Sequence, residues 1–185
     1  MFLARVFTLY PDFFPGPLNK GLYGKALSEK IWDLETINIR DYATDKHKTV
    51  DDTPYGGGYG MLIKPDVIAN SLDKNSKSNE KIIYLNPKGK LLNQYIAKKL
   101  SKEKTINLIC GHFEGVDQRV IESRNIEEVS IGDFVLSGGG SDGGGDGSCL
   151  EYGCGTFDFC DGKRNFKTLE EVRRRNEAIQ AAARR

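Results

Sequence analysis

The sequence predicts an α/β protein: a mostly parallel β-sheet flanked by helices. Three observations predict it. Apolar, β-rich runs alternate with stretches of helical periodicity along the chain. Two of those runs, KIIYLNP and TINLICG, are apolar almost throughout, as expected of strands buried on both faces of a sheet. Several runs stop at Gly or Pro, the residues that mark turns between elements.

Taken in order, LARVFTLY reads as a β-strand stopped by Pro11. GKALSEKIWD has helical spacing, with Leu27 and Ile31 four apart and Ala26 beside them. ETINIRDY alternates and reads as a strand. KHKTVDDTPYGGGYGM is a long loop with three consecutive glycines, and KPDVIANSLDKN is helical. KIIYLNP is a buried strand ending at Pro87, followed by the helical LLNQYIAKKLSK. TINLICG is a second buried strand ending in Gly111, and GVDQRVIESR is a helix. EEVSIGDFVLSGG is a strand running into a glycine turn. TLEEVRRRNEAIQAAARR is a terminal helix, with Thr168 as N-cap and Glu170 and Glu171 in the first turn.

The 185 residues allow one domain with a small appendage, long enough to bury a core. The net charge of +1 hides an uneven distribution. Residues 140–161 carry five acids and no Lys or Arg, whereas 164–185 carry seven Lys/Arg against three Glu. A basic terminal helix suits an acidic partner such as RNA, or is simply a solvated face. Cys110 lies in an apolar run and reads as a buried thiol. Cys149, Cys154 and Cys160 match no zinc spacing and have no histidine near them in sequence, so no metal site is assigned. No signal peptide or membrane-spanning apolar run is visible, which leads to the expectation of a reduced, cytoplasmic protein.

In parallel sheets ligands bind outside the carboxyl ends of strands. Three strands end in loops suited to that: YLNPKGK, ICGHFEG and IGDFVLSGG. Their glycines let a ligand approach the backbone, whose groups can bond an adenine edge or a ribose. None is a Walker A or GxGxxG fingerprint, which argues against a nucleotide triphosphatase or a dinucleotide oxidoreductase. The 45–61 loop adds Lys46, His47, Lys48, Asp51, Asp52, Tyr55 and Tyr59. Cations can contact phosphates, aromatics can stack on an extruded base, and a carboxylate can bond a base edge. The plain alternative is a polar surface loop.

On KHKTVDDTPYGGGYGML, YLNPKGK, LICGHFEGVDQRV and EEVSIGDFVLSGG, in that order, the sequence resembles the bacterial tRNA (guanine-N1)-methyltransferases of the SPOUT class. The resemblance implies a trefoil-knotted fold, an obligate homodimer, and methyl transfer from S-adenosylmethionine to N1 of the guanosine 3′-adjacent to the anticodon in tRNA, with S-adenosylhomocysteine as product. It implies a cofactor pocket of Tyr84, Leu85, Asn86, Pro87, Gly111 and Glu114, completed by Ile131, Gly132, Asp133, Phe134, Val135, Leu136, Gly138 and Gly139. It gives the substrate His47, Asp51, Tyr55, Gly56, Gly57 and Gly58. Asn86 stands where the family commonly has Ser, and His112 where it has Arg, so His112 removes a fixed positive charge near the RNA. N1 of guanine must lose a proton as it attacks, so a carboxylate base is needed.

After Gly139 the pattern departs. Gly140 replaces a Glu, and no apolar knot-closing helix lies between 140 and 167. Asp142, four residues before an Asp-Gly pair, is the counterpart of the catalytic base. The resulting division is a SPOUT-like S-adenosylmethionine-binding domain (1–139), a Gly/Asp/Cys-rich linker (140–163) and a basic helix (164–185) resembling part of the family's RNA-binding domain. The shortened spacing fits an internal deletion, an engineered linker or a frame error. The competing functions are another SPOUT RNA methyltransferase and an RNA- or cofactor-binding module without turnover.

Overall fold

The computed structural model describes residues 1–55, 57, 60–113 and 115–132. The linker expected at 140–163 and the basic helix expected at 164–185 lie outside the described residues. Within them the elements are β1 (Phe2–Thr8), α1 (Gly21–Ser28), β2 (Trp32–Asn38), β3 (Asp51–Asp52), β4 (Leu62–Ile63), α2 (Pro65–Asn75), β5 (Lys81–Leu91), α3 (Gln94–Leu100), β6 (Thr105–Ile109), α4 (Gln118–Ser123) and β7 (Glu127–Ser130). Five strands form one sheet in the order β2-β1-β6-β5-β7, and every pairing in it is parallel. The expected α/β architecture is present. β3 and β4 form a separate antiparallel pair.

The apolar pattern explains the layering. Phe7, Ile37, Tyr84 and Ile109 join α2 residues Val67, Ile68 and Leu72 and α4 residues Val120 and Ile121 in the main core. A smaller cluster of Ile83, Ile106 and Val129 has Leu85, Leu100 and Leu108 packed against it. Each fully buried Ile, Val or Phe stabilises the fold by about 1.5–3 kcal/mol relative to exposure. Cys110 is fully buried, as its apolar run predicts.

Three boundaries differ from the sequence expectation. The helix predicted over 24–33 stops at Ser28. Lys30 takes φ 57°, and the N–H groups of Lys30 and Ile31 return to the carbonyls of Leu27 and Ala26. That is a Schellman stop with lysine where glycine is usual. Ile31 is therefore left 61% exposed, and Trp32 begins β2. The following strand ends at Asn38, whose side chain accepts from the Arg40 N–H and opens a 3-10 turn at Ile39–Tyr42. The third difference is β5, which runs past Pro87 to Leu91. There Val129 of β7 pairs first with Leu85 and then with Lys90, so residues 86–89 form a bulge. A bulge tolerates Pro87, which has no N–H for the ladder.

Candidate functional site

β6, β5 and β7 are adjacent and parallel, so their carboxyl ends open on one edge of the sheet. The predicted residues Tyr84, Leu85, Asn86 and Pro87 of β5, Gly111 after β6, and Ile131 and Gly132 after β7 all belong to that edge. Tyr84 is buried, its ring packed against the backbone of the 111–115 loop. A Cβ on Gly111 would lie 2.6 Å from the Tyr84 ring. Gly115, at φ 116°, would meet the phenol oxygen at 2.7 Å. The Tyr84 ring therefore fills the space beside the backbone of Gly111 and Gly115, where no added side chain fits.

Asn86 is buried, and its side chain is taken up locally. Its Nδ2 donates to Glu128 at 2.6 Å, and its Oδ1 accepts from the Lys88 N–H at 3.1 Å. Asn86 thereby holds the bulge against β7. The Ser130 hydroxyl donates to the Gly132 carbonyl at 2.8 Å and shapes the exit of β7. His112 is 2% exposed, its ring 4.8 Å from that of Tyr10 and its Nδ1 3.2 Å from the Cys110 carbonyl.

The 45–60 loop is built by local bonds. Asp45 accepts from the Thr49 N–H and hydroxyl, and both bonds hold its carboxyl below the usual range. Pro54 accepts from the Gly57 N–H at 2.9 Å, with Gly57 at φ 84°, a turn that leaves Tyr55 59% exposed. His47 is exposed, and Asp51 sits in β3 opposite Ile63. The loop's returning strand is tied to the glycine loop. The Ile63 N–H donates to the Gly115 carbonyl at 3.0 Å, and Ile63 bridges Val116. Two motifs distant in sequence thus share one frame.

That junction encloses a cleft of about 640 Å³, lined by Asp52, Tyr55, Lys64, Asp66, Asp117 and Arg119 among others. Sequence reasoning missed Asp117 and Arg119 as site residues. Asp117 is 4% exposed and caps α4 by accepting from the Arg119 N–H. Its carboxylate also receives Arg119 Nε at 2.9 Å and Nη2 at 2.7 Å, a bidentate pair. Burial alone raises the Asp117 carboxyl, but the Arg119 hydrogen bonds and charge outweigh it and leave it below the usual range. The Arg119 guanidinium stands 5.4 Å from the Tyr55 ring centroid. The signal within VDQR was a helix-capping Asp with Arg two residues on.

Gly56, Gly58, Glu114, Asp133, Phe134, Val135, Leu136, Gly138, Gly139 and Asp142 lie outside the described residues, as do Cys149, Cys154 and Cys160. Among the described residues no group of three or more His, Cys, Asp or Glu is arranged to hold a metal. Among them too, no helix is long and apolar enough to cross a membrane.

The family model described as tRNA (Guanine-1)-methyltransferase TrmD matches residues 2–142, more than half of the chain. The chain belongs to this family. Its relatives include the tRNA (guanine-N(1)-)-methyltransferase of Pelagibacter ubique (strain HTCC1062), 70% identical over 139 residues, covering 75% of this chain and 61% of the relative. The enzyme of the same name from Bartonella henselae is 54% identical over 138 residues, covering 75% and 59%. That from Wolbachia pipientis subsp. Culex pipiens is 52% identical over 140 residues, covering 75% and 60%. The chain thus spans about three fifths of the length of these relatives. The methyltransferase family match takes in all three strand-end loops and the 45–60 loop. It reaches Asp142 and stops short of the cysteine cluster and the basic segment.

Proposed function

We propose that this chain transfers a methyl group from S-adenosylmethionine to N1 of the guanosine 3′-adjacent to the anticodon in tRNA, acting as a cytoplasmic homodimer. The observation that carries the reading is the shared sheet edge. Three parallel strand ends bring the 84–87, 111–115 and 131–132 segments together, and the Ile63 bridge ties the 45–60 loop to the middle one. When bound, S-adenosylmethionine supplies an electrophilic methyl on a sulfonium centre. The chain's own work is placement and proton removal. The backbone at Tyr84, Leu85, Gly111 and Gly132, with Glu114 and the segment from Asp133 to Gly139, holds the donor in line with the acceptor nitrogen. His47, Asp51, Tyr55 and Gly56 to Gly58 hold the RNA, and Asp142 accepts the N1 proton.

The test is transfer of labelled methyl to a tRNA transcript carrying guanosine at that position, compared with one carrying adenosine there. Label on the guanosine transcript alone supports the reading, and an Asp142→Ala chain should then lose about a hundredfold in rate or more. No label on either transcript, with S-adenosylmethionine still bound by calorimetry, favours a binding module without turnover. The end of the family match at residue 142 is the observation that speaks for that second reading.

A further inference from the structure

The cleft beside the 45–60 loop has a composition that narrows its ligand. Asp52, Asp66 and Asp117 face Lys64 and Arg119, and Asp117 is already paired with Arg119. Two carboxylates and one ammonium remain, so the cleft does not favour a phosphate group. Its size, about 640 Å³, suits a small planar ligand. At its wall two flat groups are neighbours: the Arg119 guanidinium lies over the Tyr55 ring, 5.4 Å from its centroid. The guanidinium plane is fixed by two bonds to a buried carboxylate that the helix start itself holds in place. Both flat groups remain more than half exposed. An exposed aromatic with a held guanidinium over it offers the kind of flat surfaces on which unstacked nucleobases lie. Beside it Asp66 and the Oδ2 of Asp52, whose Oδ1 accepts from the Thr53 N–H and hydroxyl, can accept N–H groups, which nucleobases present on their edges.

From this geometry we infer that Tyr55 and Arg119 form a stacking platform for one unstacked nucleobase of the RNA, with Asp117 as the residue that positions Arg119. The platform rests on the reading that this chain binds RNA, and it goes further by naming a base subsite outside the strand-end edge. Tyr55 supplies the π face, Arg119 rigidifies it, and the carboxylate of Asp52 or Asp66 takes an N–H of the base.

The experiment uses the full 185-residue chain and an RNA stem-loop with a seven-nucleotide loop containing guanosine. Affinity is read by fluorescence anisotropy at fixed salt. Tyr55→Ala and Arg119→Ala should each weaken binding about tenfold. The double variant should bind hardly more weakly than either single one, since the two groups act as one unit. Tyr55→Phe should bind as the parent chain does. S-adenosylmethionine affinity should stay unchanged in every variant, and so should the melting temperature of Tyr55→Ala, which a general structural role would not allow. Arg119→Ala also unpairs the buried Asp117, so its affinity is read well below its lowered melting temperature. If both alanine variants bind RNA as tightly as the parent, the platform is overturned and the methyltransferase reading stands. A parent chain that binds S-adenosylmethionine but no stem-loop overturns the platform and the RNA reading together. Equal losses for Tyr55→Phe and Tyr55→Ala would also overturn it, by assigning the effect to the hydroxyl.

Discussion

Tyr84 and Gly111 press on one small volume from opposite sides. A Cβ on Gly111 would stand 2.6 Å from Cε2 and 2.9 Å from the phenol oxygen of Tyr84. Tyr84 is buried in the first half of β5, so its ring has little room to retreat. Gly111→Ala is therefore an overpacking substitution, expected to destabilise by about 1–3 kcal/mol. Tyr84→Leu in the same chain removes the ring atoms in conflict and should make the added methyl nearly neutral. Urea unfolding of the single and double variants checks this. A Gly111→Ala chain as stable as its parent would show that the contact is not tight.

A harder clash is set at Gly89. A Cβ there would lie 2.4 Å from the backbone carbon of Glu128 and the nitrogen of Val129. Both are main-chain atoms of the neighbouring strand and cannot swing aside as a side-chain tip would. Gly89→Ala should push the bulge off β7 and destabilise by about 3 kcal/mol. Hydrogen exchange locates the damage: amides of Leu85 and Val129 should lose protection while those of β1 and β2 keep theirs. Unchanged exchange at Val129 would refute the close approach.

These two positions show what the sequence made legible. The order of strands and helices followed from apolar runs alternating with helical periodicity, and the glycine and proline turns marked the strand-end loops. Pro87, however, reads as a stop, and only the pairing of Val129 with both Leu85 and Lys90 reveals a bulge that carries the strand onward. Lys30 is a poor sequence signal for a helix end, because its left-handed φ is imposed by the return bonds to Ala26 and Leu27. The cleft was least legible. Tyr55 and Arg119 meet because Ile63 bridges Val116, a tertiary pairing with no local signature. The burial of His112 against Tyr10 likewise has no local signature in ICGHFEG.

The Asp117–Arg119 pair gives stability a pH dependence of known sign. The folded-state carboxyl lies below the usual range: burial opposes this, but the Arg119 bonds and charge prevail. A depressed carboxyl contributes stability that is present above its unfolded value, about 3.9, and lost as pH falls through the folded value. Asp117→Asn keeps the N-cap, since Asn caps as well as Asp, and removes the charge pairing together with the hydrogen bond from Arg119 Nη2. Arg119 is half in water, so the expected loss at pH 7 is modest, about 1 kcal/mol. The difference between variant and parent should shrink as pH falls below the unfolded value and through the lower folded one. Urea unfolding at pH 7 and in acid reads this directly. A difference that persists undiminished in acid would mean that the charge is not what matters.

Asn107 is the joint of a polar network beneath the central strands. It is fully buried on β6, accepts from Arg5 Nη1 at 2.9 Å, and donates to Glu80 at 3.1 Å and to the Lys81 carbonyl at 3.2 Å. Arg5 also pairs with Glu80 at 2.9 Å and Glu35 at 2.7 Å. Burial alone would raise the Glu80 carboxyl, yet bonds from Asn107 and the Lys77 N–H, with the Arg5 charge, hold it below the usual range. Asn107→Leu preserves the bulk but strips one bond from Glu80 and leaves the Lys81 carbonyl short of a donor. Leaving such groups unsatisfied costs about 2 kcal/mol at pH 7. Because part of that loss is stabilisation of the ionised Glu80, it should shrink as pH falls through the carboxylate range. Chemical denaturation at pH 7 and pH 3 measures both. A loss of equal size at the two pH values would assign the effect to the Lys81 carbonyl and the lost acceptor of Arg5, and leave Glu80 out of it.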